Sequence, residues 1–421
     1  MVVLDDDPTG IQTVHGCLLV TDWSQENLRT AFSDEQHFFY ILTNTRAMTR
    51  EEAARVTRSA MEAVVEANRE FGYRLIVVGR SDSCLRGHFP LETDVVCDVL
   101  REHGIAVWPR RTFCPAFIES GRVTIDGVHY MKDGERLIPT SETEFARDNV
   151  FHYSTSVLRD YIIEKGANPD DYDIVNAQSY DELYAYVDKL ETETKDFDGA
   201  VVIRSSSSLP RALSHIPDKP LLSREALGIR DGGTGLFIVG SHVQKTTRQL
   251  NALLECEGTK GIELPIDHIL DDGETLMAET LAVIADLVGE GVTPVVFTAR
   301  KEVRIDDPDK RQRLGQTVSD FLVSIVRNIG TANNANHPSA AEGQGKDGSR
   351  ISLAYLVAKG GITSHDILTH GLNVKVARVM GQAINSVPCI MAELCGQPLP
   401  YVIFPGNVGN DNSLREIYEK L

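Results

Sequence analysis

Cysteine is scarce, with seven residues in 421. None are spaced as Cys-x-x-Cys, and Cys389 and Cys395 have no histidine at finger spacing. That excludes a disulfide scaffold, argues against a structural zinc site and predicts a reducing, cytoplasmic setting. Basic residues are outnumbered, 42 Lys and Arg against 61 Asp and Glu, for a net charge of −19. Such a surface does not draw in nucleic acid or an anionic membrane as a whole, so an anionic ligand needs a local cationic or N–H-lined pocket. No apolar run reaches the roughly 18 residues that span a bilayer. The start, Met1-Val-Val-Leu-Asp, has neither a basic nor an apolar leader region, so no signal peptide is expected. Several catalytic signatures are missing too. Gly345-Lys346 runs into Asp347, so it is no Walker loop. No Gly-x-Gly-x-x-Gly follows a strand, and there is no His-Glu-x-x-His, no Gly-x-Ser-x-Gly and no internal repeat.

What is present is an ordinary globular balance, 42% hydrophobic and 24% charged, long enough for two or three domains. Short apolar runs alternate with amphipathic stretches. Val2–Leu4, Cys17–Val20, Phe38–Leu42 and Leu75–Val78 read as strands. The first begins so close to Met1 that a few residues are expected upstream. Thr49–Glu70 reads as a helix, with Ala53, Val56, Ala60, Val64 and Ala67 on one face and a Thr49/Glu52 capping box. Leu91–His103 reads as another. The alternation predicts an α/β fold with mainly parallel sheets, whose ligands bind at the carboxyl ends of the strands. Ser205–Ser208, the prolines at 210, 217 and 220, and Gly232–Gly235 predict a boundary, giving domains 1–230 and 235–421. Beyond it, Leu236–Val239, Pro294–Thr298, Tyr355–Ala358 and Tyr401–Phe404 read as strands. Helices are expected at Lys245–Glu257, Thr275–Glu290 and Gln312–Ile329. Residues 331–350 read as a loop or insertion.

The polar clusters fall at strand ends. Asp5-Asp6-Asp7-Pro8-Thr9-Gly10 sets three carboxylates side by side, which folding alone does not reward. A cation, a proton to be accepted or a hydroxylated ligand would account for it; a plain turn is the alternative. Arg80-Ser81-Asp82-Ser83-Cys84-Leu85-Arg86-Gly87-His88 packs two arginine forks, a carboxylate, two hydroxyls and an imidazole together. That set suits a carboxylate or phosphate ligand, and an ion pair with a helix cap is the alternative. Cys84 reads as a packed residue. Gly121-Arg122 precedes a hairpin turning at Asp126-Gly127, where Arg122 adds charge to the pocket and His129 is a structural donor or a ligand. Thr140–Arg147 reads as a capped polar helix start. In the second half, Gly240-Ser241-His242, Gly360-Gly361-Ile362-Thr363-Ser364 and Pro405-Gly406-Asn407-Val408-Gly409 are small-residue loops after strands. There backbone N–H groups and a helix start favour phosphate, although Thr363–Asp366 also reads as an ordinary capping box.

Taken in order, these motifs resemble those of the four-carbon acid sugar kinase family, which includes D-threonate, D-erythronate and 3-oxo-tetronate kinases, over nearly the whole chain. Relative to the threonate and erythronate type, Asp5, Pro8, Arg80, Cys84 and His88 stand where Ala, Phe, Lys, Thr and Asn are more usual, the mark of a divergent branch. The resemblance implies an N-terminal sugar-acid domain, a C-terminal nucleotide domain and an active site in the cleft between them. It assigns Asp6, Asp7, Thr9, Asp82, Ser83, Arg86 and His88 to the acid. Ser241, Gly360, Gly361, Thr363, Ser364, Gly406, Asn407 and Gly409 go to ATP.

The expected reaction is transfer of a phosphoryl group from ATP to the terminal hydroxyl of a short sugar acid. Arg86 with Arg122 would hold the acid carboxylate, and Asp6 or Asp82 would accept the hydroxyl proton. Mg²⁺ would ride on the phosphate oxygens with few protein ligands. Two rivals remain at this point: a metal-dependent lyase or dehydratase built on the aspartate run, and a non-catalytic two-lobed binding protein. A homodimer is compatible with the sequence; nucleic-acid and membrane partners are not expected.

Overall fold

A computed structural model describes residues 1–300, 308–332, 351–406 and 408–421. The chain falls into two units, Met1–Lys219 and Pro220–Leu421. Most of the 331–350 stretch, like Asn407, lies outside the described residues.

In the first unit the buried Val, Ile and Leu runs form β1 (Val2–Asp5), β2 (Leu18–Val20), β3 (Phe39–Leu42) and β4 (Ile76–Arg80). They are joined in the same sheet by β5 (Arg111–Cys114), β9 (Tyr172–Ile174) and β10 (Val201–Ser205). The order β2-β3-β1-β4-β10-β5-β9 is parallel throughout. Register sets the site: Asp5 lies opposite Leu42 and Arg80, and Ser205 opposite Arg80 and Cys114. The segments that follow these residues therefore leave one edge of the sheet together.

Helix Arg50–Phe71 buries Ala53, Ala60, Val64 and Ala67 of the predicted face, with Thr57 and Met61 added and Val56 only half-buried. Its capping box is formed, Glu52 N–H to the Thr49 hydroxyl and Thr49 N–H to the Glu52 carboxylate, and Gly72 closes it in the left-handed conformation. A separate antiparallel sheet joins β6 (Arg122–Ile125), β7 (Val128–Asp133) and β8 (Arg136–Pro139). The predicted Asp126-Gly127 turn links the first two, both residues at positive φ.

Thr140–Arg147 is not the capped helix start the sequence suggested. It is two 3₁₀ turns, Thr140–Glu142 and Glu144–Arg147, neither with a side-chain cap. The threonines bond locally instead, Thr143 Oγ1 to the Thr140 carbonyl at 2.7 Å and Thr140 Oγ1 to the His129 carbonyl at 3.3 Å.

The second unit holds β11 (Gly235–Val239), β12 (Thr259–Leu264), β13 (Thr293–Thr298), β14 (Tyr355–Lys359), β15 (Val376–Ile384), β16 (Val387–Leu394) and β17 (Gln397–Phe404). Five strands, β12-β13-β11-β14-β17, run parallel, and β16 and β15 extend them antiparallel. The expected α/β class with mainly parallel sheets is what the protein has. Residues 220–230, read as the tail of the first domain, pack with the second unit. Leu222, Leu227 and Ile229 sit in one core with Phe237 and Tyr355, and Leu222 N–H bonds the Gln382 carbonyl. The division between the units, at 219–220, lies within the stretch from the serine run to Gly235, and Ser205–Ser208 itself is buried at the end of β10. Among the described residues no helix is long and apolar enough to cross a membrane.

Candidate functional site

At the carboxyl edge of the first sheet the aspartate run is threaded with arginine. Arg46, leaving β3, forks onto Asp6 at 2.5 and 3.2 Å. The same guanidinium lies 3.3 Å from Asp7 and 3.9 Å from Asp82. Arg80, at the end of β4, bonds Asp5 at 3.2 Å and Ser207 Oγ at 3.1 Å. Arg86 bonds Asp82 at 2.8 Å, stacks on Phe145 and faces Asp148. Three adjacent carboxylates are thus tolerated because cations from neighbouring strand ends separate them.

Electrostatics sort the acids. Burial pushes the Asp5 carboxyl up to about 7 against the pull of Arg80, and its Oδ2 has no hydrogen-bond partner. A side chain at Gly10 would collide with that carboxylate. Burial also acts to raise Asp82, but Arg86 and Arg46 outweigh it and hold the group well below the usual carboxylate range. Asp7 is lowered in the same way by Arg46 and Arg80, with help from Thr9. The Asp6 side chain is 2% exposed, against 22% for Asp7 and 13% for Asp82. Asp7 and Asp82 are therefore the reachable carboxylates, and Asp6 serves as an internal anchor for Arg46.

The other residues singled out in this half occupy distinct positions. Thr9 donates from its hydroxyl and its N–H to Asp7. The Ser83 hydroxyl has no partner among the described residues, while its carbonyl is held by His129. His88 is buried with its Nε2 between the Thr45 and Met48 carbonyls, 3.1 Å from each, and edge-on to Phe151. It holds the β3 loop instead of pointing to open space. Arg122 donates to the Ser120 carbonyl and borders the Cys84 thiol. Burial raises that thiol to about 11, which suits a packed residue and not a nucleophile.

Sequence reasoning missed three participants. Arg46 lies just beyond β3, and only the sheet order brings it to Asp6. Arg204, in β10, is 6% exposed and donates to the Arg86 carbonyl; it lines a small cavity with Asp82, Pro115, Tyr161 and Ser205. An arginine interrupting a Val-Val-Ile strand was the available signal. Glu92 accepts from Thr45 Oγ1 at 2.5 Å, and burial raises its carboxyl. Of the two readings open for His129, the hydrogen bonds fit the structural one. Its Nε2–H donates to the Ser83 carbonyl at 2.7 Å, so its Nδ1 accepts from Thr124 Oγ1 at 2.9 Å.

Burial lowers the His129 imidazole to about 4. In the unfolded chain it takes a proton first as pH falls below about 6.5. The folded protein is thus expected to lose stability from this group between pH 6.5 and 4. His129→Ala is expected to cost about 1–3 kcal/mol at pH 7 and to flatten that acid-side loss, read as urea midpoints at pH 7 and 5.

In the second unit four parallel strands end level: Val239 opposite Phe297 and Lys359, and Lys359 opposite Phe404. The loops leaving them touch. A Cβ at Gly240 would lie 2.1 Å from Thr363 Oγ1. One at Gly360, where φ is +120°, would lie 3.2 Å from Ser241 Cβ, and one at Gly406 3.9 Å from Ser241 Oγ. Gly409, φ +85°, packs on Ser413, and Gln249 holds the Val408 and Asn410 carbonyls at 3.1 and 2.8 Å. Ser364 is not part of a capping box; its hydroxyl bonds the Ala358 carbonyl at 2.8 Å, and Gly360 is the cap residue. Arg300, beyond β13, donates to the Ser241 and Val239 carbonyls at 2.5 and 3.0 Å. The loops thus bring Ser241, Thr363, Gly360, Gly361 and Gly406 to one edge. A backbone this close, with glycine where any side chain would intrude, fits a phosphate chain.

The acid-site carboxylates are engaged by arginines. Among the described residues no three His, Cys, Asp or Glu side chains are grouped to hold a metal ion.

Comparison with known proteins agrees with this division. The chain matches a sugar-binding N-terminal domain over residues 1–208. It matches a nucleotide-binding C-terminal domain over 236–341 and 346–414. No curated protein matches significantly. Among solved structures, a Haemophilus influenzae protein is 13% identical at TM-score 0.64, covering 100% of this chain and 99% of its own. A Salmonella typhimurium LT2 protein provisionally named a tRNA synthase is 15% identical at TM-score 0.67, covering 99% and 98%. A Bordetella bronchiseptica domain of unknown function, solved with citrate as a domain-swapped dimer, is 20% identical over 100% and 98%, at TM-score 0.39. At these identities the Haemophilus and Salmonella likenesses speak to fold alone. The two domain matches together span most of the sequence, and by them the chain belongs to the four-carbon acid sugar kinase family.

Proposed function

We propose that the protein transfers the terminal phosphoryl group of ATP to the terminal hydroxyl of a short sugar acid, with four-carbon acids such as threonate, erythronate or an oxo-tetronate as the first candidates. The observation that carries this reading is the arginine-laced carboxylate cluster at the strand ends of the sugar-binding domain, in a chain that also holds a nucleotide-binding domain. Arg86 is our candidate to take the substrate carboxylate: its Nε bonds Asp82 and its Nη1 lies 3.7 Å from Asp148, a partly exposed contact that a ligand carboxylate can replace. Arg122 adds positive charge nearby. Asp82 and Asp7, the reachable acids, are placed to hold substrate hydroxyls with Thr9 and Ser83. Asp82 is our candidate to orient the attacking hydroxyl and receive its proton, with Asp6 fixing Arg46 behind it.

A strongly ionised aspartate is a weak base, which suits this reaction, because a loose phosphoryl-transfer transition state draws more on positioning than on proton abstraction. ATP with Mg²⁺ supplies the transferable phosphoryl group and part of the charge neutralisation. The small-residue loops, Ser241, Gly360, Gly361, Thr363, Ser364, Gly406 and Gly409, are placed to receive its phosphates, and Asn407 belongs to the same loop by sequence. A lyase built on a metal held by the aspartate run is disfavoured, because those carboxylates face arginines.

The test is ADP release with ATP and Mg²⁺ against both threonates, both erythronates and 3-oxo-tetronates. Acid-dependent release, with a phosphorylated acid by mass spectrometry, is the expected result. Silence across the panel with ATP binding intact would move the substrate to a larger or branched acid.

A further inference from the structure

Lys359 plays no part in the reading above, yet it is the most unusual side chain at the nucleotide loops. It ends β14 and is fully buried. Its Nζ donates to the Pro405 carbonyl at 2.6 Å and the Gly406 carbonyl at 3.2 Å, 3.9 Å from the centre of the Phe404 ring. It has no carboxylate partner among the described residues. Among the described residues the titratable group acting on it is Lys245, another cation, from helix Gln244–Leu254. Burial, with that like charge, lowers the ammonium to about 7. Lysine is almost never fully buried unless paired, and an apolar side chain of similar length would serve packing better.

The geometry also has a direction. A trans peptide points its N–H opposite to its C=O. Drawing the Pro405 carbonyl onto Lys359 therefore turns the Gly406 N–H away from it, and that N–H has no acceptor among the described residues. We propose that Lys359 is a positioning residue of the nucleotide site: it clamps the Pro405 and Gly406 carbonyls so that the turn presents its N–H side to phosphate, and it supplies buried positive charge that a polyphosphate neutralises. This rests on the nucleotide-binding reading of the three loops and is independent of which acid is phosphorylated.

The experiment measures ADP binding by calorimetry for the wild type, Lys359→Met and Lys359→Arg between pH 7.5 and 9, with thermal melts of the nucleotide-free proteins. An anion favours the ammonium, so wild-type affinity should fall by about threefold as pH rises over this range, the result of raising a group near 7 by about one pKa unit on binding. Lys359→Met should bind at least about tenfold more weakly at pH 7.5, show no such slope, and melt no lower than the wild type. Lys359→Arg should restore part of the affinity without the slope. Unchanged ADP affinity in Lys359→Met, or a slope equal to the wild type's, would overturn the proposal. So would a melting temperature that falls in step with affinity, since that marks a purely structural lysine. No ADP binding by the wild type would overturn the nucleotide reading and this inference with it. ADP binding without acid-dependent turnover would remove the substrate assignment and leave the Lys359 result to stand on the binding data.

Discussion

Replacing Arg46 by Met is expected to destabilise the protein by about 3–5 kcal/mol at pH 7.5, the usual result of removing one partner from a buried ion-pair network. Three carboxylates depend on this one guanidinium: Asp6 through a two-pronged bond, and Asp7 and Asp82 at longer range. Its own charge is held firmly by them, well above the usual arginine range despite burial. The pH dependence gives the network a signature. In the wild type Asp7 and Asp82 have lowered folded pKa values, so their stabilisation is present above the unfolded carboxylate range near 4 and is lost as pH falls below it. Without Arg46, Asp82 keeps Arg86, but Asp7 loses its leading cation and burial then acts to raise it, so the variant should lose less stability than the wild type as pH drops from 7.5 toward 5. The gap to the wild type should therefore narrow with acid, read from urea midpoints at the two pH values. Arg46→Lys keeps one charge but loses the fork and should fall between. A gap that is small, or that does not change with pH, would show that other cations carry these aspartates.

Asp82→Asn is expected to lower acid-dependent turnover by roughly 10²-fold, through lost positioning of the attacking hydroxyl more than through lost proton transfer. ADP affinity should be unchanged, because the nucleotide loops belong to the other unit's sequence. The substrate's KM should rise as well, since Asp82 also fixes Arg86 through the 2.8 Å bond. An effect confined to KM would reassign Asp82 from proton acceptor to holder of Arg86. Full turnover would remove it from both roles.

Much of the first hundred residues could be read directly, because each strand there is a short run of buried aliphatics and the long helix carries its own cap. Other elements were hidden for identifiable reasons. β10 contains Arg204 and runs into four serines, so its end looked like a linker, although those serines are buried beside Arg80. β15 and β16 are antiparallel strands interrupted by Gly381 and Pro388, and they lack the uniform apolar signal of the parallel strands. The site was legible as a set of motifs but not as a network. Asp82 and Arg86 are four residues apart and their pairing follows from local spacing. Arg46 reaches Asp6 across forty residues, and only the β3-β1-β4 order makes them neighbours. His129 and Arg204 act through carbonyls of the Asp82 loop, a role that no side-chain pattern announces.

The packing of residues 220–230 bears on how the halves can be prepared separately. A C-terminal fragment begun at the glycine-rich turn near residue 233 would discard Leu222, Leu227 and Ile229, leaving an open apolar face around Phe237 and Tyr355. Such a fragment should be prone to aggregation however intact its loops. One begun at Pro220 carries its own covering and is the version to try in solution. The same logic makes the 219–220 peptide, and not the serine run upstream, the place to insert a protease site.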